Sequence, residues 1–389
     1  EVQGNAQRVR EAARAARAKG ADLVVFPELT LSGYPPEDLL FHRGLRTQVE
    51  QALAALKAEV DDPASGLPAL FVGYPEYVDA SGRPSIYNAA SLLVPGREPV
   101  TCRKNCLPNY QVFDEKRYFL PGEQLSVAEF MGVRFALAIC EDVWQPGPAM
   151  GAKARGAEAL LVMNASPYEQ RKQRAREAVL RERIAETGLP IAYVNLVGGQ
   201  DELVFDGRSC ALDSSGNVRL RAAAFEEALA LLHVTRDQAG KDGFEPVEKD
   251  AVAPELGDEE SVYRALVLGV RDYVNKHGFP GVVMGLSGGV DSALTAMIAV
   301  DALGAGRVQV VMMPSRYTSS MSLEDAAAQA RRLGVAYSEI SIEGMFDATL
   351  GALADQFRGL APDATEENIQ ARCRGVLLMA ISNKTGRML

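Results

Sequence analysis

The chain is predicted to be an α/β protein made of two units. Strand-like apolar runs alternate with amphipathic helical stretches, that alternation breaks once in an acidic segment, and 389 residues exceed one ordinary domain. Residues 5–19 carry a helical period and residues 22–26 read as a buried strand. Strand patterns follow at 69–74, 89–94, 133–139, 159–163 and 191–195, with a helix over 170–186. Between Phe244 and Glu260 the composition turns acidic, with Pro246, Pro254 and no clear period, so 244–260 reads as a linker between domains at 1–243 and 261–389. Beyond it the pattern restarts as helix 261–276, strand 281–286, helix 291–303, strand 308–313, helix 322–333 and strand 336–340. That succession predicts a doubly wound parallel sheet.

Composition narrows the function. Hydrophobic residues at 47% and charged residues at 24% suit a globular chain with two cores. No apolar window approaches the roughly 18 residues of a membrane span, so no membrane partner is expected. A formal charge of -10 argues against a nucleic-acid partner, which calls for clustered Lys and Arg. Cys102, Cys106, Cys140, Cys210 and Cys373 are odd in number and form no CxxC pair, which points away from a disulfide framework or zinc site and towards a reducing, cytoplasmic setting. The chain starts at Glu1 without a signal-peptide pattern. Small-molecule chemistry is the expectation.

The strongest local signal is Gly285-Leu286-Ser287-Gly288-Gly289-Val290-Asp291-Ser292, set between an apolar strand and a helix. Backbone N–H groups and the helix N-terminus there can face an anion. Gly288 and Gly289 permit close approach, the Ser287 and Ser292 hydroxyls can donate to phosphate oxygens, and Asp291 can reach a magnesium ion on those phosphates. The Lys-bearing GxxxxGK[ST] pattern is absent. The bland reading is a glycine-rich turn with a polar cap. The motif resembles the SGGxDS loop of the ATP-pyrophosphatase family, whose members cleave ATP between the α- and β-phosphates and adenylate an oxygen.

Histidine occurs only at His42, His233 and His277, so a Cys/His dyad is disfavoured. Cys140 instead ends the apolar run Ala136-Leu137-Ala138-Ile139, Glu28 follows Phe26-Pro27, and Lys104 precedes the proline-marked turn Asn105-Cys106-Leu107-Pro108. Taken singly these read as a packed thiol, a turn cap and a surface charge. Together they resemble the Glu-Lys-Cys triad of the nitrilase, or carbon-nitrogen hydrolase, superfamily. The resemblance implies an α-β-β-α sandwich with Glu28 as general base and Cys140 as nucleophile. Lys104, with a backbone N–H near Glu141, would stabilise the oxyanion.

An amidase followed by an adenylating domain is similar to the glutamine-dependent NAD synthetase family. The resemblance covers nearly the whole chain, including Phe26–Tyr34, Leu107–Phe119, Met313–Ser320, Asn368–Arg372 and Ser382–Arg387. It implies ATP, glutamine and deamido-NAD as substrates, Mg2+, no prosthetic group and a homo-oligomer, with ammonia passed between domains. It also implies that Tyr110, Ser166 and Lys172 hold glutamine, and that Asn368 and Arg372, four residues apart on one helical face, contact the dinucleotide. Arg316 and the hydroxyl-rich run after it would form a mobile loop over the ATP site. Gln111 departs from the family's usual glycine. A strand before Asn5 and a segment beyond Leu389 would complete the pattern. Another glutamine-fed adenylating amidoligase, or an amidase with a regulatory nucleotide-binding domain, remain alternatives.

Overall fold

The computed structural model describes residues 1–80, 83–236 and 242–389. Its contacts divide the chain into two units, residues 1–198 with 203–258 and residues 199–202 with 259–389.

The first unit opens with helix α1 (Val2–Ala18), strand β1 (Leu23–Val25), helix α2 (Arg43–Asp61) and strands β2 (Ala69–Ala80), β3 (Arg83–Leu93) and β4 (Val100–Arg103). Val2, Ala6, Val9, Ala13 and Ala16 recur every three or four residues, which puts a single apolar stripe of α1 onto the sheet. The four strands form one sheet in the order β1-β2-β3-β4. Next come β5 (Ser126–Phe130), β6 (Val133–Ile139), helices α3 (Glu141–Trp144) and α4 (Pro146–Ala154), β7 (Ala159–Asn164), α5 (Lys172–Thr187) and β8 (Ile191–Asn195). A short hairpin of β9 (Val197–Gln200) and β10 (Leu203–Asp206) precedes β11 (Cys210–Leu212) and β12 (Val218–Arg221). The second sheet has six strands in the order β12-β11-β8-β7-β6-β5.

Alternation along β6 and β7 builds the four layers. Leu137, Ile139, Leu161 and Met163 face the core shared with β2 and β3. Ala136, Ala138, Leu160 and Val162 face the α4 and α5 side with Leu180 and Ile184. A sheet buried on both faces explains why β6 and β7 read as continuous apolar runs rather than alternating ones. The result is the α-β-β-α sandwich that the resemblance implied.

The acidic stretch is more ordered than its composition suggests. Strands β13 (Leu232–Arg236) and β14 (Asp242–Pro246) pair antiparallel, so residues 244–246, read as linker, lie in a strand. Phe244 is buried in the core, the one large apolar side chain able to anchor that strand. Arg221 then exchanges backbone hydrogen bonds with Ala251 and Ala253, at 2.9 and 2.8 Å.

The second unit runs α6 (Asp258–Lys276), β15 (Val282–Gly285), α7 (Val290–Leu303), β16 (Val308–Met312), α8 (Ser320–Leu333), β17 (Ala336–Glu339), α9 (Glu343–Ala352) and α10 (Ala364–Thr385). Its sheet is parallel, in the order β15-β16-β17. Val308, Val310 and Met312 pack with Ala296 of α7 and Ala326 of α8. Val283, Val311 and Met313 pack with Ile342 and with Cys373 of α10. After α10 the chain returns to the free edge of β15, where Met388 forms a parallel bridge to Val282. The winding direction thus reverses at β15, and the carboxyl end of that strand is where open α/β sheets place ligands.

Leu137 is fully buried between the two sheets. Leu137→Ala should destabilise the protein by about 2–5 kcal/mol, measured by chemical denaturation. A loss well under about 1 kcal/mol would mean that the inter-sheet layer collapses onto the gap.

Candidate active site

The carboxylate comes first along the chain. After β1 the backbone makes one more ladder bond, Phe26 N to Phe71 O at 3.0 Å, and then turns through Pro27 and Glu28. That turn lies directly on Gly73 of β2, where a Cβ would come within 2.6 Å of Leu29 N and 3.2 Å of Pro27 O. Only glycine leaves room for it. Glu28 is 1% exposed. Its Oε1 accepts from Asn88 Nδ2 at 2.7 Å and Lys104 Nζ at 2.8 Å, and its Oε2 accepts from Ala165 N at 2.9 Å.

Lys104 follows β4 and is also 1% exposed. Its ammonium donates to a second carboxylate, Glu115 Oε1, at 2.8 Å, and that oxygen accepts from Tyr34 Oη at 3.0 Å. Burial alone would lower the Lys104 pKa, but Glu115 and Glu28 outweigh it and hold the ammonium well above its ordinary value. Burial pushes the Glu115 carboxyl up to about 7, against the pull of Lys104 and with the help of Glu28. Glu115 was missed by the sequence reading. It lies eleven residues past Lys104 in a short helical turn, and neither strand parity nor helical period links the two.

Cys140 sits where β6 becomes α3. Its N–H donates to Met163 O at 2.8 Å, and its carbonyl accepts from Val143 N at 3.1 Å. Between them the backbone takes φ +45° and ψ −99°, a conformation that costs a non-glycine residue of order 1–3 kcal/mol. This sharp turn lifts the thiol off the strand end. Burial, then the Glu28 carboxylate, push the Cys140 thiol well above its usual pKa, with Lys104 acting in the opposite sense. The surroundings therefore favour the protonated thiol. Asp142 accepts backbone N–H groups of Asn105, Cys106 and Ile139.

The residues expected to hold a substrate surround this turn. Tyr110, half exposed, donates its hydroxyl to Glu141 Oε2 at 2.9 Å. Next to it Gln111 has φ +52°, the left-handed region that glycine enters freely, so the departure from the family's glycine falls on a position that favours one. Ser166 is buried one residue beyond Ala165, with its N–H on Asn195 Oδ1 at 2.9 Å. Arg176 of α5 donates to Ser166 Oγ at 3.2 Å and to its carbonyl at 2.9 Å. Lys172 opens α5, with Nζ 3.1 Å from Glu169 and 5.2 Å from the centre of the Trp144 ring. Since Trp144 closes α3, that contact brings Lys172 to the helix that starts at Cys140.

The second unit carries the glycine-rich loop. Leu286 N donates to Val311 O at 3.0 Å and ends the ladder. Gly288 has φ +80°, and a Cβ there would lie 2.3 Å from Ser322 O, so the loop passes directly against α8. Ser287 and Ser292 bond to each other at 3.0 Å and tie the loop to the first turn of α7. Val290 and Asp291 are exposed in that turn. Asn368 and Arg372 share one face of α10 and, with Met345, Thr349 and Cys373, line a cavity of about 490 Å3. Arg316 forms ion pairs with Glu343 and Asp347. Among the described residues no group of three or more His, Cys, Asp or Glu is arranged to hold a metal, and no helix is long and apolar enough to cross a membrane.

Known proteins divide in the same way. The carbon-nitrogen hydrolase family matches residues 1–242, and the NAD synthase family matches residues 262–389. The glutamine-dependent NAD(+) synthetase of Rhodobacter capsulatus is 49% identical over 385 residues, covering 99% of this chain and 68% of the relative. A solved glutamine-dependent NAD+ synthetase from Acinetobacter baumannii, in complex with ADP, superposes with a TM-score of 0.91 at 43% identity, covering 100% of this chain and 71% of that one. An amidase of the nitrilase superfamily from Nesterenkonia aligns at TM-score 0.51 and 28% identity, covering 57% of this chain and 81% of that one.

Two outcomes test this geometry. Gly73→Ala should push the Glu28 turn outward and cost about 1–3 kcal/mol, read by calorimetry; an unchanged transition would show that the turn yields freely. Glu115 binds its proton up to about pH 7 when folded, whereas a free glutamate carboxyl loses it near 4.5, so the native state holds more protons across that interval. Stability should therefore fall as pH rises from 4.5 to 7, and Glu115→Gln should flatten the decline. Parallel wild-type and variant melting curves across this range would contradict the assignment.

Proposed function

The chain belongs to the glutamine-dependent NAD(+) synthetase family, and on that premise we propose that Cys140 releases ammonia from glutamine for an ATP-dependent amidation of deamido-NAD in the second unit. The observation that carries the reading is the buried Glu28–Lys104 pair beside a thiol displayed on a strained turn.

In this reading Glu28 accepts the Cys140 proton as the sulfur attacks the glutamine amide carbon. Lys104, with the backbone N–H at Glu141, balances the charge that develops on the carbonyl oxygen. Glu28 returns the proton to the leaving nitrogen, ammonia departs, and a γ-glutamyl thioester remains on Cys140. Glu28 then takes a proton from water, whose attack frees glutamate and restores the thiol. Lys104 cannot easily give up its own proton, because both carboxylates favour its charged form. Tyr110, Ser166 and Lys172 hold the glutamine.

In the second unit the loop from Gly285 to Ser292 cradles the ATP phosphates with backbone N–H groups and the two serine hydroxyls. The single exposed carboxylate of Asp291 in the first turn of α7 suits Mg2+, which binds through one or two carboxylates with substrate phosphates supplying other ligands. When bound, Mg2+ neutralises phosphate charge and orients the leaving pyrophosphate. Asn368 and Arg372 bind deamido-NAD, whose nicotinate carboxylate attacks the α-phosphate and becomes adenylated. Ammonia displaces AMP to give NAD. Free ammonia is mostly protonated near neutrality, so the reading includes an enclosed passage between the sites, along with a cytoplasmic setting and a homo-oligomer.

The test runs the full-length protein with deamido-NAD and ATP, supplied in parallel with glutamine and with ammonium. AMP, pyrophosphate and NAD should form in equal amounts from either nitrogen source. Cys140→Ala should abolish glutamine use and leave ammonium use intact. Failure of deamido-NAD to stimulate AMP formation would remove the substrate assignment, and loss of both nitrogen sources in the variant would argue against separable sites.

A further inference from the structure

We propose that Asp142 is a positioning residue that fixes the Lys104 ammonium relative to the Cys140 thiol by holding together the two chain segments that carry them. The side chain is 1% exposed and lies in the short helix α3. One oxygen, Oδ1, accepts the backbone N–H of both Asn105 and Cys106, each at 2.8 Å. The other, Oδ2, accepts the N–H of Ile139 at 3.1 Å. Asn105 is the residue after Lys104, and Ile139 is the residue before Cys140.

These segments come from different sheets. Lys104 leaves β4, an edge strand of the four-stranded sheet, whereas Cys140 leaves β6, inside the six-stranded one. Between sheets there is no ladder to set register, and the bonds that run from Lys104 through Glu28 to Ala165 hold the end of β7 rather than the turn at Cys140. A carboxylate that accepts from both strand ends supplies what the ladders cannot. It also grips the residue just before the φ +45° backbone of Cys140, where strain would otherwise relax the turn.

The chemistry requires a carboxylate. Three donors converge on two oxygens, and the negative charge strengthens each bond. Asparagine would keep one oxygen and aim an N–H2 group at another donor. Asp142 accepts only from backbone N–H groups in these contacts, so its action passes through Lys104 and Cys140.

The inference rests on the reading of Cys140 as the glutamine-hydrolysing residue, and the experiment separates the two. Full-length wild type, Asp142→Asn and Cys140→Ala are assayed with saturating glutamine, with varied glutamine and with ammonium, alongside thermal unfolding. Misplacement by about 1 Å can cost roughly a hundredfold in rate. Asp142→Asn should therefore lower kcat for glutamine hydrolysis by about 10- to 100-fold. Its KM for glutamine should stay near the wild-type value, as should ammonium-driven NAD formation. Wild-type kcat with glutamine would overturn the proposal, as would parallel loss of glutamine-driven and ammonium-driven activity with a lowered unfolding temperature, which marks a merely structural role. Glutamine turnover surviving in Cys140→Ala would instead overturn the underlying reading.

Discussion

Glu28, Lys104 and Glu115 put two carboxylates and one ammonium out of reach of water, and the first unit is organised around pairing them, with only Glu115 Oε2 of the three side chains left without a partner. Removing an ion from water costs several kcal/mol even after relaxation, so such a cluster persists only where geometry and extra hydrogen bonds are good. Asn88, Ala165 and Tyr34 supply those bonds from three separate parts of the chain. Burial, aided by the Glu28 charge, drives Glu115 up to about 7, while the two carboxylates keep the proton on Lys104. A cluster of this kind fixes the ends of β1, β4 and β7 against the middle of β3 more tightly than apolar contacts could.

That rigidity offsets the strain at Cys140. The positive φ turns the chain from sheet to helix in one residue and places the thiol beside Glu28 without using histidine. An exposed thiol could ionise alone. A buried one next to a carboxylate stays neutral until that carboxylate takes the proton, which in the proposed reading ties nucleophile formation to the presence of a substrate able to receive the sulfur.

The second unit handles charge in the opposite way. Its loop at the carboxyl end of β15 relies on backbone N–H groups, glycines and two mutually bonded serines, all near the surface. In the proposed reading a phosphate ligand arrives there already charged, so oriented dipoles serve rather than buried counter-ions. The winding direction reverses at β15, and the carboxyl end of such a strand is where open α/β sheets place ligands. The close approach of Gly288 to Ser322 brings the start of α8 to the same loop.

The sequence by itself determined most of the elements. Long apolar runs at β6, β7 and β15, the stripe of α1 and the glycine-rich loop were legible because they are local patterns with a fixed period or spacing. The strands leading to Glu28 and Cys140 were legible for the same reason, whereas grouping those residues with Lys104 rested on the resemblance to a family triad and on the scarcity of histidine. The β13–β14 pairing was not, because residues 244–246 sit in an acidic, proline-marked stretch whose single buried anchor, Phe244, gives no period. Glu115 and the three-way bonding of Asp142 were invisible as well. Each depends on contacts between segments whose separation along the chain encodes no distance. Which charges are buried together, and therefore which protons are held, was decided only when the two sheets packed face to face.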